Sequence, residues 1–279
     1  PGADDNASGV AVLIELARNL VDEARPARTI VFVAFTAEEA GRIGSKYFAD
    51  NPLPFALDGI NAVVNMDTVG QLADKPISVF GGASATEWQH VFRGIDFTTG
   101  IKSSLIMTDL DSSDQQSFID KGIPGIQISS GASLDYHRPT DTVDRVDADG
   151  LVKVAVVVKE AVAYLADRPE PLTATIATST EAPPRPAGDR GGRRVSIGTV
   201  PDFAFTGKGV RAGGIVPGSP ADQAGLKEGD ILIAIDANAV DDLQGFTDLL
   251  KQYSPGQQVT LTVIRDGAEL AVDATLVER

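Results

Sequence analysis

One stretch decides the layout of this 279-residue chain. From residue 168 to 194 the apolar periodicity lapses. Arg168-Pro169-Glu170-Pro171 opens the stretch, and a Thr/Ala/Ser run follows. Ala182-Pro183-Pro184-Arg185-Pro186 and Gly188-Asp189-Arg190-Gly191-Gly192-Arg193-Arg194 close it. Too few large apolar side chains remain there to offset the entropy of ordering the backbone. The segment therefore reads as a linker, extended or disordered, with its Arg cluster solvated. Residues 1–167 and 195–279 must then each bury a core of their own.

The first of these regions alternates two periodicities. Val10, Leu13, Ile14, Ala17, Leu20 and Val21 recur at helical spacing, which predicts an amphipathic helix over 8–23. Further helix patterns fall at 39–49, 84–93, 112–121 and 149–166. Between them lie short continuous apolar runs at 29–35, 60–66, 77–80 and 125–129, the signature of strands buried on both faces. Such alternation predicts an α/β fold: a mostly parallel sheet with helices on both faces. The region 195–279 reads differently. Short strands at 210–216, 230–235, 259–265 and 270–277 surround one helix at about 243–252, with turns at Pro255-Gly256 and Asp266-Gly267.

Charge narrows the function. The formal net charge is -15, which argues against a nucleic-acid partner, because phosphates require a basic surface. No run approaches ~18 uninterrupted apolar residues, so no membrane-spanning helix is expected. There is no cysteine, which excludes disulfides, thiolate metal sites and cysteine nucleophiles.

Four short stretches carry the chemistry: Gly2-Ala3-Asp4-Asp5-Asn6-Ala7-Ser8-Gly9, Thr36-Ala37-Glu38-Glu39, Asn65-Met66-Asp67 and Tyr136-His137-Arg138-Pro139-Thr140-Asp141. Together they supply one imidazole and several carboxylates, the donor types of a zinc site. Each has a plainer reading alone. Asp5 suits a turn or helix cap, and Glu38-Glu39 suits a helix N-terminus. Asp67 is different, since a carboxylate ending an apolar strand is costly unless paired or metal-bound. Consecutive residues of extended chain point to opposite sides, so Glu38 and Glu39 are expected to have separate roles. His90 lies within an ordinary helix pattern. His137 sits in a polar loop, where Asp141 could orient its second nitrogen.

In this order, the four stretches resemble peptidase family M28, which includes bacterial leucine aminopeptidases and the related glutaminyl cyclases. The resemblance covers residues 1 to about 166. It implies a zinc-exopeptidase (phosphorylase/hydrolase-like) fold and two zinc ions per complete site. Asp5 would bridge the ions, Glu39 and His137 would complete one, Asp67 would bind the other, and Glu38 would be the general base. It also implies a cis peptide at Asp5-Asn6. Ser112-Ser113-Asp114-Gln115 resembles a family segment near the substrate, although Gln115 stands where His is common. Asp114 and Tyr136 are accordingly expected at the substrate. The family's upstream His-x-Asp motif, whose His ligates the second zinc, has no counterpart before Asp5, and is expected in sequence preceding Pro1. The implied activity is zinc-dependent release of N-terminal amino acids. A glutaminyl cyclase and a non-catalytic peptide-binding scaffold are the alternatives. Export to the periplasm or medium is implied by the same resemblance.

In the second region, Gly214-Ile215-Val216-Pro217-Gly218-Ser219-Pro220-Ala221 and Ala224-Gly225-Leu226-Lys227-Glu228-Gly229-Asp230 resemble bacterial PDZ domains. That resemblance implies capture of a polypeptide C-terminus by strand addition. Lys208, Gly209 and Val210 are expected to form the carboxylate nest, and Phe246 and Leu250 to line the side-chain pocket. The plainer alternative is an adaptor that binds no peptide.

Overall fold

The computed structural model describes residues 1–21, 26–52, 54, 56–107, 113–176 and 194–278. These form two compact units, Pro1–Gly131 with His137–Ala182, and Ala132–Tyr136 with Pro183–Arg279.

The first unit starts with a wound turn, Ala3–Ser8, that leads into helix α1 (Gly9–Val21). Gly9, Val12 and Leu16 are its buried positions, the last two one turn apart. Helix α2 is Ile43–Asp50, and strands β1 and β2 are Val63–Met66 and Ile77–Phe80. Helix α3 (Trp88–Thr99) and strand β3 (Ser103–Leu105) follow. Helix α4 (Gln116–Ile119), strand β4 (Gly125–Ser129) and helix α5 (Ala148–Asp167) complete the unit. Asp147 caps α5, its side chain accepting the Gly150 N–H at 3.0 Å.

The sheet order is β1-β4-β2-β3. β1 is parallel to β4 and β2 to β3, but β2 runs antiparallel to β4, so the sheet is mixed. Both faces are covered. Val64 packs with the core of α1, α3 and α5 residues, whereas its neighbour Val63 packs with Phe35, Phe48 and Phe118. That alternation is the pleat of a strand buried on both sides.

Two expectations need correction. Thr29–Phe35 runs without regular secondary structure and joins no ladder, and Val31 and Phe32 are exposed. Together with β1 it walls a cavity of about 740 Å³. Apolar β-branched composition makes a segment suitable for a strand, but only a neighbouring edge makes it one. The proposed linker also begins later than its composition suggests. Leu172 is buried and its N–H donates to Asn61 Oδ1 at 2.9 Å. Glu87 accepts from the Thr173 N–H at 3.0 Å and lies 3.3 Å from the Arg168 guanidinium. These contacts tie residues 168–175 to the first unit. Residues 177–193 of the linker, with Arg185, Arg190 and Arg193 of its Arg cluster, lie outside the described residues, as do the ends of the expected helices at 22–23 and 112.

The second unit is β-rich: β5 (Val195–Ser196), β6 (Thr199–Pro201), β7 (Val210–Ile215), α6 (Pro220–Gln223), β8 (Ile231–Ile235) and β9 (Asn238–Ala239). Helix α7 (Leu243–Leu250) and strands β10 (Gln258–Arg265), β11 (Ala268–Thr275) and β12 (Val277–Glu278) follow. All ladders here are antiparallel, with the main order β11-β10-β8-β7-β6. The hairpin between β10 and β11 turns at Asp266-Gly267, both with positive φ, as a two-residue connection requires.

Candidate metal centre

Three of the four motif loops converge on one point. His137 Nε2 stands 3.1 Å from Asp5 Oδ2 and 2.9 Å from Glu39 Oε1. One donor atom from each residue lies within 4.8 Å of the others, the spacing of ligands around a common ion. The contributors are 132 or fewer residues apart in sequence and come from the turn before α1, the bend before α2 and the loop before α5.

Local chemistry builds each corner. The Asp5–Asn6 peptide is cis, as the resemblance implies. The Asn6 side-chain amide donates to the Met66 carbonyl at 2.8 Å, and its oxygen accepts the Gly9 N–H at 3.1 Å. A Cβ on Gly9 would stand 2.5 Å from that same carbonyl, so glycine lets the first turn of α1 close on the end of β1. Asp4, which sequence reasoning passed over, is buried and accepts the Gly70 N–H at 2.6 Å. Asp141 does something other than what was expected. Its two carboxylate oxygens accept the backbone N–H groups of Asp4 (2.8 Å) and Asp5 (3.1 Å).

Asp67 is not part of the three-residue cluster but lines the same cavity, with Glu38 and Asp114. The Ser113 hydroxyl donates to Asp67 Oδ2 at 2.7 Å. Asn65 in turn donates to Ser113 Oγ (2.8 Å) and to Gln115 Oε1 (3.0 Å). Gln115 is therefore a buried acceptor in the chain of hydrogen bonds that holds Asp67.

Burial and crowded carboxylates dominate the electrostatics of the site. Burial, then the charges of Asp67, Glu39, Asp114 and Asp5, push the Glu38 carboxyl up to about 8. Burial raises Asp67 to about 6 against the lowering effect of the Ser113 hydrogen bond. Asp114 is raised too, again mainly by burial, while Ser45 and Arg42 pull the other way. Burial would lower His137, but hydrogen bonds to Asp5 and Glu39 outweigh it and hold the imidazole up at about 9. Carboxylates crowded until they keep protons, with an imidazole wedged between two of them, match the hard-oxygen and nitrogen donor set that zinc accepts.

The remaining expected residues fall elsewhere. Tyr136 belongs to the second compact unit, its ring edge-on to Phe203 with centroids 5.7 Å apart. The proposed PDZ nest has other partners: Lys208 Nζ pairs with Asp241 at 2.9 Å, and the Gly209 N–H donates to the Asp241 carbonyl at 2.8 Å. Val210 is buried on an inner strand, paired with Leu232. Phe246 and Leu250 are buried in the core. Among the described strands, β6 is the one beside β7 that ends the order and offers an outer edge.

Residues 1–162 match the profile of peptidase family M28, more than half of the chain. The chain belongs to peptidase family M28. Residues 192–276 match the PDZ domain profile, so this M28 domain is followed by a PDZ domain. Aminopeptidase YwaD of Bacillus subtilis (strain 168) is 29% identical over 192 residues, which are 65% of this chain and 41% of that protein. The solved zinc aminopeptidase BSAP from Bacillus subtilis shares 26% identity at a TM-score of 0.55, covering 63% of this chain and 46% of that one. An aminopeptidase from Aneurinibacillus sp. strain AM-1 shares 30% at a TM-score of 0.54, covering 63% and 42%. The chain thus spans less than half the length of these three relatives.

Proposed function

We propose that this M28 member is a zinc-dependent aminopeptidase whose PDZ domain recruits polypeptide C-termini. The observation that carries the reading is the meeting of Asp5, Glu39 and His137 beside Glu38. Asp5, Glu39 and His137 would hold one zinc ion, and Asp5 and Asp67 would serve a second. Bound zinc supplies Lewis-acid polarisation of the scissile carbonyl and acidifies a water toward pKa ~7.

The chain's own groups do the rest. Glu38 takes the proton of the attacking water and returns it to the leaving amine. Asp114 faces the same cavity and offers a carboxylate for the free α-ammonium of a substrate, which favours cleavage at N-termini. In the PDZ domain, the outer edge of β6 is the place for an added peptide strand. Release to the periplasm or medium belongs to the same reading.

The test is hydrolysis of an aminoacyl p-nitroanilide by zinc-loaded protein. Cleavage that EDTA abolishes, and that an N-acetylated substrate escapes, is the expected result. Equal cleavage of the acetylated substrate would overturn the aminopeptidase assignment.

A further inference from the structure

Asp141 makes an arrangement that the proposed chemistry does not use directly. Its side chain is 2% exposed. Oδ1 accepts the Asp4 N–H and Oδ2 the Asp5 N–H, while its backbone carbonyl accepts the Ala3 N–H at 3.3 Å. One residue thus receives three successive amides from a segment some 137 positions away in sequence. Asp141 is also tied to the loop of His137, its own N–H donating to the Arg138 carbonyl at 3.1 Å.

We infer that Asp141 is a positioning residue for the metal centre: it fixes the Asp5 backbone against the loop that carries His137. Because it ends that loop, the two donors facing each other at 3.1 Å are held by a common anchor. Only a carboxylate suits the place. Both oxygens face N–H donors, and an amide in its stead would point an NH2 group at one of them. Hydrogen bonds from backbone N–H to a buried carboxylate are short and strong, and losing an acceptor leaves a buried donor unpaired. Groups that orient metal ligands in this way typically alter metal affinity by about 10–100-fold when replaced.

This inference rests on the metal reading of the site, and the experiment separates the two. The full chain, stripped of metal, is titrated with cobalt(II) chloride and followed by its visible d–d absorption, beside Asp141→Asn. The expected result is an affinity about 10–100-fold weaker and an altered band shape, in a variant that still folds but melts at a lower temperature without metal. Unchanged affinity and band shape in the variant would overturn the role of Asp141. So would weaker binding with the band shape unchanged, which would report lost stability and not displaced ligands. If Asp141→Asn does not fold, Asp141→Glu keeps the charge and both acceptors but lengthens the reach. It is expected to fold and bind cobalt more weakly, and affinity equal to the unaltered protein would refute the role. Failure of the unaltered protein itself to take up cobalt would sink the metal reading instead.

Discussion

The two units treat a buried acid in opposite ways. Asp230, in the PDZ domain, is 2% exposed and gripped by Arg265, whose guanidinium nitrogens approach its oxygens at 2.7 and 2.6 Å. Burial would raise its carboxyl, but Arg265 and the Lys227 N–H hold it below the usual carboxylate range. In the M28 domain, Glu38 and Asp67 have mainly one another, hydroxyls and further carboxylates as neighbours, and both are raised. Asp230, an acid of the PDZ core, has its cation in the same chain. The acids proposed to serve chemistry are crowded with other carboxylates instead, as a cation-binding site would have them.

That contrast can be broken at several points. The largest effect belongs to Glu38. Glu38→Gln should lower kcat on an aminoacyl p-nitroanilide by roughly 10²–10⁴-fold. Zinc content, read by elemental analysis, should stay unchanged, because Glu38 is outside the three-ligand cluster. Next comes Ser113→Ala. It removes the hydrogen bond that lowers Asp67, so the proton competes better and zinc binds about tenfold or more weakly in a competition titration.

The pH responses should differ in sign. Asp4, Asp67 and Glu38 are raised to about 6, 6 and 8, above their unfolded values. Their contribution to stability is full below about 4 and is lost as pH rises through 6 to 8. His137 acts in the same direction: its contribution is present below about 6.5 and lost as pH rises through about 9. Calorimetry in EDTA should therefore show a melting temperature of the M28 domain that falls between about pH 5 and 9. Asp230 is lowered, so its contribution is present above about 3.8 and lost as pH falls through its folded value. Asp230→Asn should destabilise the PDZ domain by roughly 1.5–3 kcal/mol at neutral pH, and by less in acid. The smallest effect is expected for Lys208→Ala. Its ion pair with Asp241 is exposed on both sides, and urea unfolding should change by no more than about 0.5 kcal/mol.

Much of this was legible before the structure. The strands 77–80 and 125–129 stand where the apolar runs place them, because their residues are buried on both faces and composition alone reports that. The trio Asp5, Glu39 and His137 was also legible, since loops at strand ends carry side chains that no core requires. The run 29–35 misled because composition records burial and not the presence of a partner edge. The start of the linker misled because one leucine, Leu172, and one carboxylate, Glu87, suffice to dock a Pro-rich strap. Lys208 and Gly209 looked like a nest because exposed glycines permit one, but Asp241 claims both.

What the sequence determined by itself is the inventory: two domains, an acidic M28 motif set and a PDZ pattern, all fixed by local composition and spacing. What only the tertiary structure decided is the pairing of groups far apart in the chain. Asp141 meeting the amides of Asp4 and Asp5, and Ser113 meeting Asp67, depend on how loops close on the sheet. Hydrogen bonds act over about 3 Å, and no periodicity in a chain encodes a distance that short between residues that remote.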